Sequence, residues 1–245
     1  MHIVFHGENA ASFEPGFADL VAPGARIDVL PDALATPADR ESFAAADVVV
    51  GIRYDRSFPK AERLSLFHVP GAGYDQVDVQ ALPAQTVVCN CFGHEPAIAE
   101  YVMAALLARH VPLADADARL RQQDWKYWAG APERVHDEMS GKTIGLLGFG
   151  HIAQAIAARS KAFGLRVHVA NRSPVAPSAL VDAWFGLDDL ARFWPTADFI
   201  VVSVPLTQQT TGIVGAAAFV AMKRSAVVVN VGRGPTVDEQ ALFDA

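Results

Sequence analysis

TIGLLGFGHIAQAIAARSKAFGLRVHVANRS, residues 143–173, is the stretch on which the reading of the whole chain turns. An apolar run ends at Leu147, a glycine-containing turn follows, and an Ala-rich amphipathic stretch leads to a second apolar run, RVHVA. This is the order strand, turn, helix, strand. Gly148, Gly150 and Ala153 fall in the pattern G-x-G-x-x-[GA] at the turn. Gly148 allows a tight turn, Gly150 lets the backbone approach a pyrophosphate, and Ala153 is small enough for the helix to lie on the strand. The helix N-terminus then presents unpaired N–H groups and a favourable dipole to the phosphates. A bare glycine pattern arises by chance, but the flanking strand, helix and second strand give it the context of a dinucleotide fold. Phe149, His151 and Ile152 complete the predicted cofactor turn.

About twenty residues beyond such glycines, at the end of the second strand, these folds place an Asp or Glu on the ribose 2′-hydroxyl. Here the residues are Asn171, Arg172 and Ser173. With no carboxylate to repel a 2′-phosphate and a guanidinium able to bind it, the chemistry favours NADP, with NAD still possible. The competing reading is a solvated turn before Pro174.

Outward from this stretch, AWF, DFIVVSVP and AVVVNVG continue the alternation of apolar runs and helical segments to the end of the chain. The Val- and Ile-rich character of DFIVVSVP and AVVVNVG fits strands covered on both faces. The first ninety residues alternate in the same way, with HIVFHG, RIDVL, DVVVG, LFHVPGAG and TVVCN as strands. The chain therefore reads as α/β: two Rossmann- or flavodoxin-like domains with parallel sheets. The first, 1–91, is the predicted substrate domain; the second, 92–245, is the NAD(P)-binding domain with an N-terminal connecting arm. That arm, EPAIAEYVMAALLARHVPLADADARLRQQDW, is apolar at helical spacing and is broken at Pro112.

The 245 residues are enough for one large or two modest domains, and a net charge of −7 without any Lys/Arg cluster argues against nucleic acid or anionic lipid as a main partner. The start, MHIVFHGENA, has no signal-peptide pattern, and no apolar run nears the ~20 residues of a membrane span, so a cytoplasmic protein is expected. Cys89 and Cys91 alternate along a predicted strand, which suits buried free thiols better than a disulfide, and two thiols are too few for a structural zinc site.

The motifs GAGYDQVD, NCFGHEPAIAE, GKTIGLLGFGHIAQAIA, VPLTQQTTGIVG and MKRSAVVVNVGRGPTVDEQAL together resemble the D-isomer-specific 2-hydroxyacid dehydrogenases, the family of glyoxylate/hydroxypyruvate and phosphoglycerate dehydrogenases. The resemblance runs from about Val49 to the last residue. It implies hydride transfer between NADP(H) and a small 2-oxo or 2-hydroxy acid. It also implies that the Gly71, Ala72, Gly73 loop holds the substrate carboxylate through its N–H groups, a role its composition fits. Val204, Pro205 and Thr210 would line the nicotinamide side, and Val231 and Gly232 would offer backbone contacts. Arg233 matches the catalytic arginine, whose guanidinium can orient a 2-oxo acid and stabilise developing oxyanion charge. Arg53 resembles an arginine that some members turn toward the substrate. Trp125 and Trp128 lie in the segment that serves as a dimerisation arm in the family, which implies a homodimer through about 101–136; domain packing is the alternative.

Hydride transfer leaves an alkoxide that needs a general acid. The family uses a histidine supported by a carboxylate, in segments beyond the NVGRG motif. The expectation is therefore that this chain lacks the catalytic Glu and His and the last strands of its second sheet, as a truncated stretch of a dehydrogenase would. A non-catalytic dinucleotide-binding or sensing module of the same fold is the alternative.

Overall fold

A computed structural model describes residues 1–130 and 136–245 of the chain. They form two compact units, Met1–Gly93 and His94–Ala245.

The first unit is built on strands β1 (His2–His6), β2 (Arg26–Leu30), β3 (Val48–Val50), β4 (Leu66–His68) and β5 (Val87–Cys89), with helices α1 (Gly7–Ala11) and α2 (Pro37–Ala44). All pairings are parallel and the spatial order is β2-β1-β3-β4-β5, the flavodoxin-like order. Every residue of β1 is buried, because helices cover both faces of a central parallel strand. Helix α2 starts where the sequence dictates. The Thr36 side chain accepts from the Asp39 N–H, the Asp39 carboxylate accepts from the Thr36 N–H, and Pro37 occupies the first turn. Phe43 from this helix meets Val4, Val49, Tyr54 and Phe67 in the core.

The predicted buried thiols are corrected here. Strand β5 is the sheet edge and ends at Cys89, so Cys89 is exposed, while Cys91 lies beyond the strand and is half-buried. An edge strand has a neighbour on one side only, and period-2 alternation does not extend past its last residue.

The second unit begins with α3 (Glu95–His110) and α4 (Leu113–Leu120). It continues as β6 (Thr143–Leu147), α5 (His151–Ala162), β7 (Arg166–Ala170), β8 (Ala183–Phe185), α6 (Leu190–Phe193), β9 (Phe199–Val202), α7 (Ala216–Ala221), β10 (Val227–Asn230) and α8 (Glu239–Asp244). Its five strands are parallel in the order β10-β9-β6-β7-β8. Counted from β6, that is five strands of the six-stranded Rossmann order, with β10 at one edge. No sixth strand of this sheet occurs among the described residues.

Helix α3 buries Ala99, Val102, Met103 and Leu106, one stripe at helical spacing, in a core shared with Ile156 and Ala157 of α5. Among the described residues no single helix is long and apolar enough to cross a membrane; α3 and α4 pass that test only as a pair bent by 55°. Gly145 has a packing reason inside β6. A Cβ there would sit 2.8 Å from Phe193 and 2.9 Å from Ala197, so the strand can lie against this aromatic ring only without a side chain.

Candidate functional site

In the second sheet the chain order reverses between β6 and β9, and ligands of open α/β sheets bind outside the carboxyl ends of the strands at such a point. There the glycine turn sits. Gly148 has φ +92° and donates its N–H to the Ala170 carbonyl at 2.8 Å, tying the turn to β7. A side chain at Gly148 would also meet Val204 and Ser203 at 3.1–3.3 Å. A Cβ at Gly150 would meet nothing within 4 Å, so the backbone on that side is open to a ligand. Helix α5 starts immediately afterwards at His151, and fully buried Ala153 lets it lie on the sheet.

The turn forms one wall of an open cleft of about 470 Å³. Gly148, Phe149 and Gly150 line it from β6, Asn171 and Arg172 from β7, and Ser203, Val204, Pro205 and the 207–210 segment from β9. Asn171 donates from Nδ2 to the Ser173 carbonyl at 3.0 Å and its N–H donates to Phe185, which fixes the turn. Arg172 is exposed and makes no hydrogen bond or ion pair among the described residues. Thr210 is buried. Its hydroxyl donates to the Pro205 carbonyl at 2.6 Å and accepts from the Thr207 N–H at 2.8 Å, so it shapes the cleft wall. An open glycine turn at a helix N-terminus, beside a cleft of this size, fits a dinucleotide.

Arg233 follows β10, at the same carboxyl edge of the parallel sheet. Its carbonyl accepts from the Thr236 hydroxyl at 2.6 Å and from Asn230 Nδ2 at 3.0 Å, so the backbone beneath the guanidinium is pinned. Its Nη1 donates to the Gly232 carbonyl at 3.3 Å. The N–H groups of Val231 and Gly232 are engaged by the Val202 carbonyl and Asn230 Oδ1, and the Gly232 carbonyl by Arg233, which leaves the Val231 carbonyl as the polar group for a backbone contact. Gly232 also has a steric reason, because a Cβ would sit 2.9 Å from the Val204 carbonyl oxygen. Sequence reasoning missed Thr236, whose buried hydroxyl meets the Arg233 carbonyl only in the fold.

The expectation that the chain lacks the catalytic Glu and His is corrected by the structure. Glu95 Oε1 and His151 Nδ1 lie 3.8 Å apart, an ion-pair separation. They occupy the first positions of α3 and α5, two helices that share one core. The Glu95 side chain is only 13% exposed, so the acidic partner is fixed while the imidazole, 65% exposed, faces outward beside the glycine turn. The pair escaped notice because its members lie far apart in sequence and meet only when the helices pack. The signal available was a Glu opening a buried apolar helix.

In the first unit the Gly71, Ala72, Gly73 loop follows β4, and Tyr74 beside it is exposed. Arg53 follows β3, places its guanidinium 5.2 Å from the centre of the Phe58 ring, and lines a cavity of about 90 Å³ with Asp32, Arg40 and Ser57. Beneath lies His6, buried among Phe43 and Phe58; burial holds its pKa below the ordinary value.

The fold and the cleft define a dinucleotide-binding α/β protein. The family described as D-isomer specific 2-hydroxyacid dehydrogenase, NAD binding domain, matches residues 103–245. The chain is 34% identical over 216 residues to D-3-phosphoglycerate dehydrogenase of Methanocaldococcus jannaschii, covering 84% of this chain and 40% of that protein. It is 32% identical over 244 residues to glyoxylate reductase of Thermococcus gammatolerans, covering 93% of this chain and 71% of that one. Among solved structures, a D-isomer specific 2-hydroxyacid dehydrogenase family protein from Aeromonas salmonicida superimposes with a TM-score of 0.76 at 26% identity, over 99% of this chain and 76% of the other. This chain belongs to the D-isomer specific 2-hydroxyacid dehydrogenase family. It is shorter than the relatives it matches.

Proposed function

We propose that the protein is an NADP(H)-linked reductase of small 2-oxo acids of the glyoxylate or hydroxypyruvate kind. Arg172 is the observation that carries this reading: a guanidinium with no carboxylate near it on its own turn, beside the cleft of the glycine turn. A 2′-phosphate supplies the charge and the paired acceptors that such a guanidinium takes. A glyoxylate reductase and glyoxylate/hydroxypyruvate reductases B stand among the relatives, which supports the substrate class.

When bound, the reduced nicotinamide supplies the hydride. Gly148 and Gly150 admit the pyrophosphate, Val204 and Pro205 wall the nicotinamide side, and Asn171 to Ser173 take the adenosine ribose phosphate. In the first unit, the substrate domain on this reading, the Gly71–Gly73 loop holds a carboxylate through its N–H groups. In the second, Arg233, held from below by Asn230 and Thr236, directs its guanidinium at a carbonyl oxygen and stabilises the charge that develops there. His151, with Glu95 behind it, adds an imidazole at the pyrophosphate end of the cleft. Helices α3 and α4 expose Tyr101 and Leu113, and the segment after them exposes Trp125 and Trp128, which suits a homodimer contact. Residues 131–135 of that predicted arm lie outside the described residues.

The test is the absorbance of NADPH mixed with the protein and glyoxylate or hydroxypyruvate. NADPH oxidation is expected, faster than with NADH. No turnover with any 2-oxo acid and either cofactor overturns the reading.

A further inference from the structure

We propose that Asn90 is a positioning residue that aims the N–H groups of the Ala72–Gly73 loop at the substrate carboxylate. The inference rests on the proposed role of that loop and names what gives it its polarity. The loop leaves β4 with its carbonyls captured from one side. The Cys91 N–H donates to the Gly71 carbonyl at 3.1 Å, and Asn90 Nδ2 donates to the Ala72 carbonyl at 2.8 Å. Upstream, the Val69 N–H donates to the Cys89 carbonyl at 2.7 Å, so the loop and the segment after β5 are laced together.

A planar trans peptide points its C=O and the following N–H in opposite directions, and the described residues contain no cis bond. Pulling the Gly71 carbonyl toward Cys91 therefore turns the Ala72 N–H away from it. Pulling the Ala72 carbonyl toward Asn90 turns the Gly73 N–H away likewise. Neither N–H donates to a protein acceptor among the described residues. Two adjacent donors facing the same open side make a concavity for an anion, and Gly71 adds no obstruction, since a Cβ there would meet nothing within 4 Å. The Cys91 contact is backbone to backbone and survives any substitution except proline. The Asn90 contact depends on one side-chain amide, which is half-buried. The Gly73 N–H thus takes its direction from the Asn90 side chain.

The test uses the full chain and oxalate as the probe, with calorimetry for affinity and backbone amide NMR for location. Oxalate is expected to shift the Ala72 and Gly73 amide resonances of the unaltered protein. Asn90→Leu keeps the shape without the donor, and Asn90→Asp keeps the shape with an acceptor only. Both should weaken oxalate binding about tenfold, the worth of one misdirected charge-assisted hydrogen bond. Both should move the Gly73 amide resonance before any ligand is added, and both should leave NADPH affinity within about twofold. With a 2-oxo acid in turnover, the loss belongs in KM and not in kcat. Unchanged oxalate affinity in both folded variants overturns the role of Asn90. Oxalate that binds the unaltered protein without moving the loop amides, or does not bind at all, overturns the loop assignment itself and this inference with it.

Discussion

Substitution of Arg172 by alanine isolates the cofactor assignment, because the guanidinium has no protein partner whose loss would complicate the result. The side chain is exposed, so its removal opens no cavity and the fold should be unaffected. On the proposed assignment the substitution removes a charge-assisted, paired hydrogen bond to a 2′-phosphate, worth about 1.5–3 kcal/mol, or roughly ten- to a hundredfold in affinity. Exposure to solvent places the value toward the lower end at physiological salt and toward the upper end at low ionic strength. NADH carries no 2′-phosphate and should bind Arg172→Ala about as well as the unaltered protein. Titration of intrinsic fluorescence with NADPH and NADH, at low and moderate salt, measures both affinities without requiring turnover. The double variant Asn171→Asp, Arg172→Ala goes further. It exchanges the Asn171 donor that now holds the Ser173 carbonyl for a carboxylate that accepts from a ribose hydroxyl and repels a phosphate, so the preference should invert to NADH. Equal losses for the two cofactors, or no loss for either, would refute the argument and leave residues 171–173 as a solvated turn.

Gly145→Ala should lower stability by about 1–3 kcal/mol, since the added methyl overlaps Phe193 and Ala197, and a urea melt of the unaltered and variant chains measures it. His151→Gln removes the contact with Glu95; at 3.8 Å and with the imidazole 65% exposed it is worth at most about 1 kcal/mol, so the melting temperature should barely move. NADPH affinity should nevertheless fall several-fold, and a fall in turnover with unchanged NADPH affinity would instead give the imidazole the proton-donating role. Asp28 is pushed up by burial, but hydrogen bonds from Ser42, Arg26 and His2 outweigh that and bring its pKa down to about 2. Because the folded value lies below the unfolded one, its contribution is present above about pH 4 and is lost as the pH falls toward 2. Acid unfolding of Asp28→Asn should accordingly show a shallower dependence over that window, and an identical slope would count against this role.

The sequence by itself determined the elements of both sheets and the place of the glycine turn at the start of α5. Nine runs carrying Val, Ile or Leu and the aromatic run AWF, separated by amphipathic or turn segments, became ten parallel strands, because buried strands and amphipathic helices announce themselves by local periodicity. The Gly148–Gly150 turn was equally legible, since a tight turn between a strand and a helix demands glycine at fixed offsets. Contacts between distant segments were not legible. Glu95 and His151 meet only when α3 packs on α5, which overturned the expectation that the chain lacks the catalytic Glu and His. Cys89 is exposed because of the position of β5 at the sheet edge, a matter of strand order and not of local pattern. The need for glycine at 145 comes from a ring almost fifty residues away, and the direction of the Gly73 N–H from a side chain on another strand's exit. Periodicity and turn chemistry are properties of neighbouring residues and can be read in line, whereas pairing, exposure and the aim of a hydrogen bond depend on which segments the closed sheet brings together.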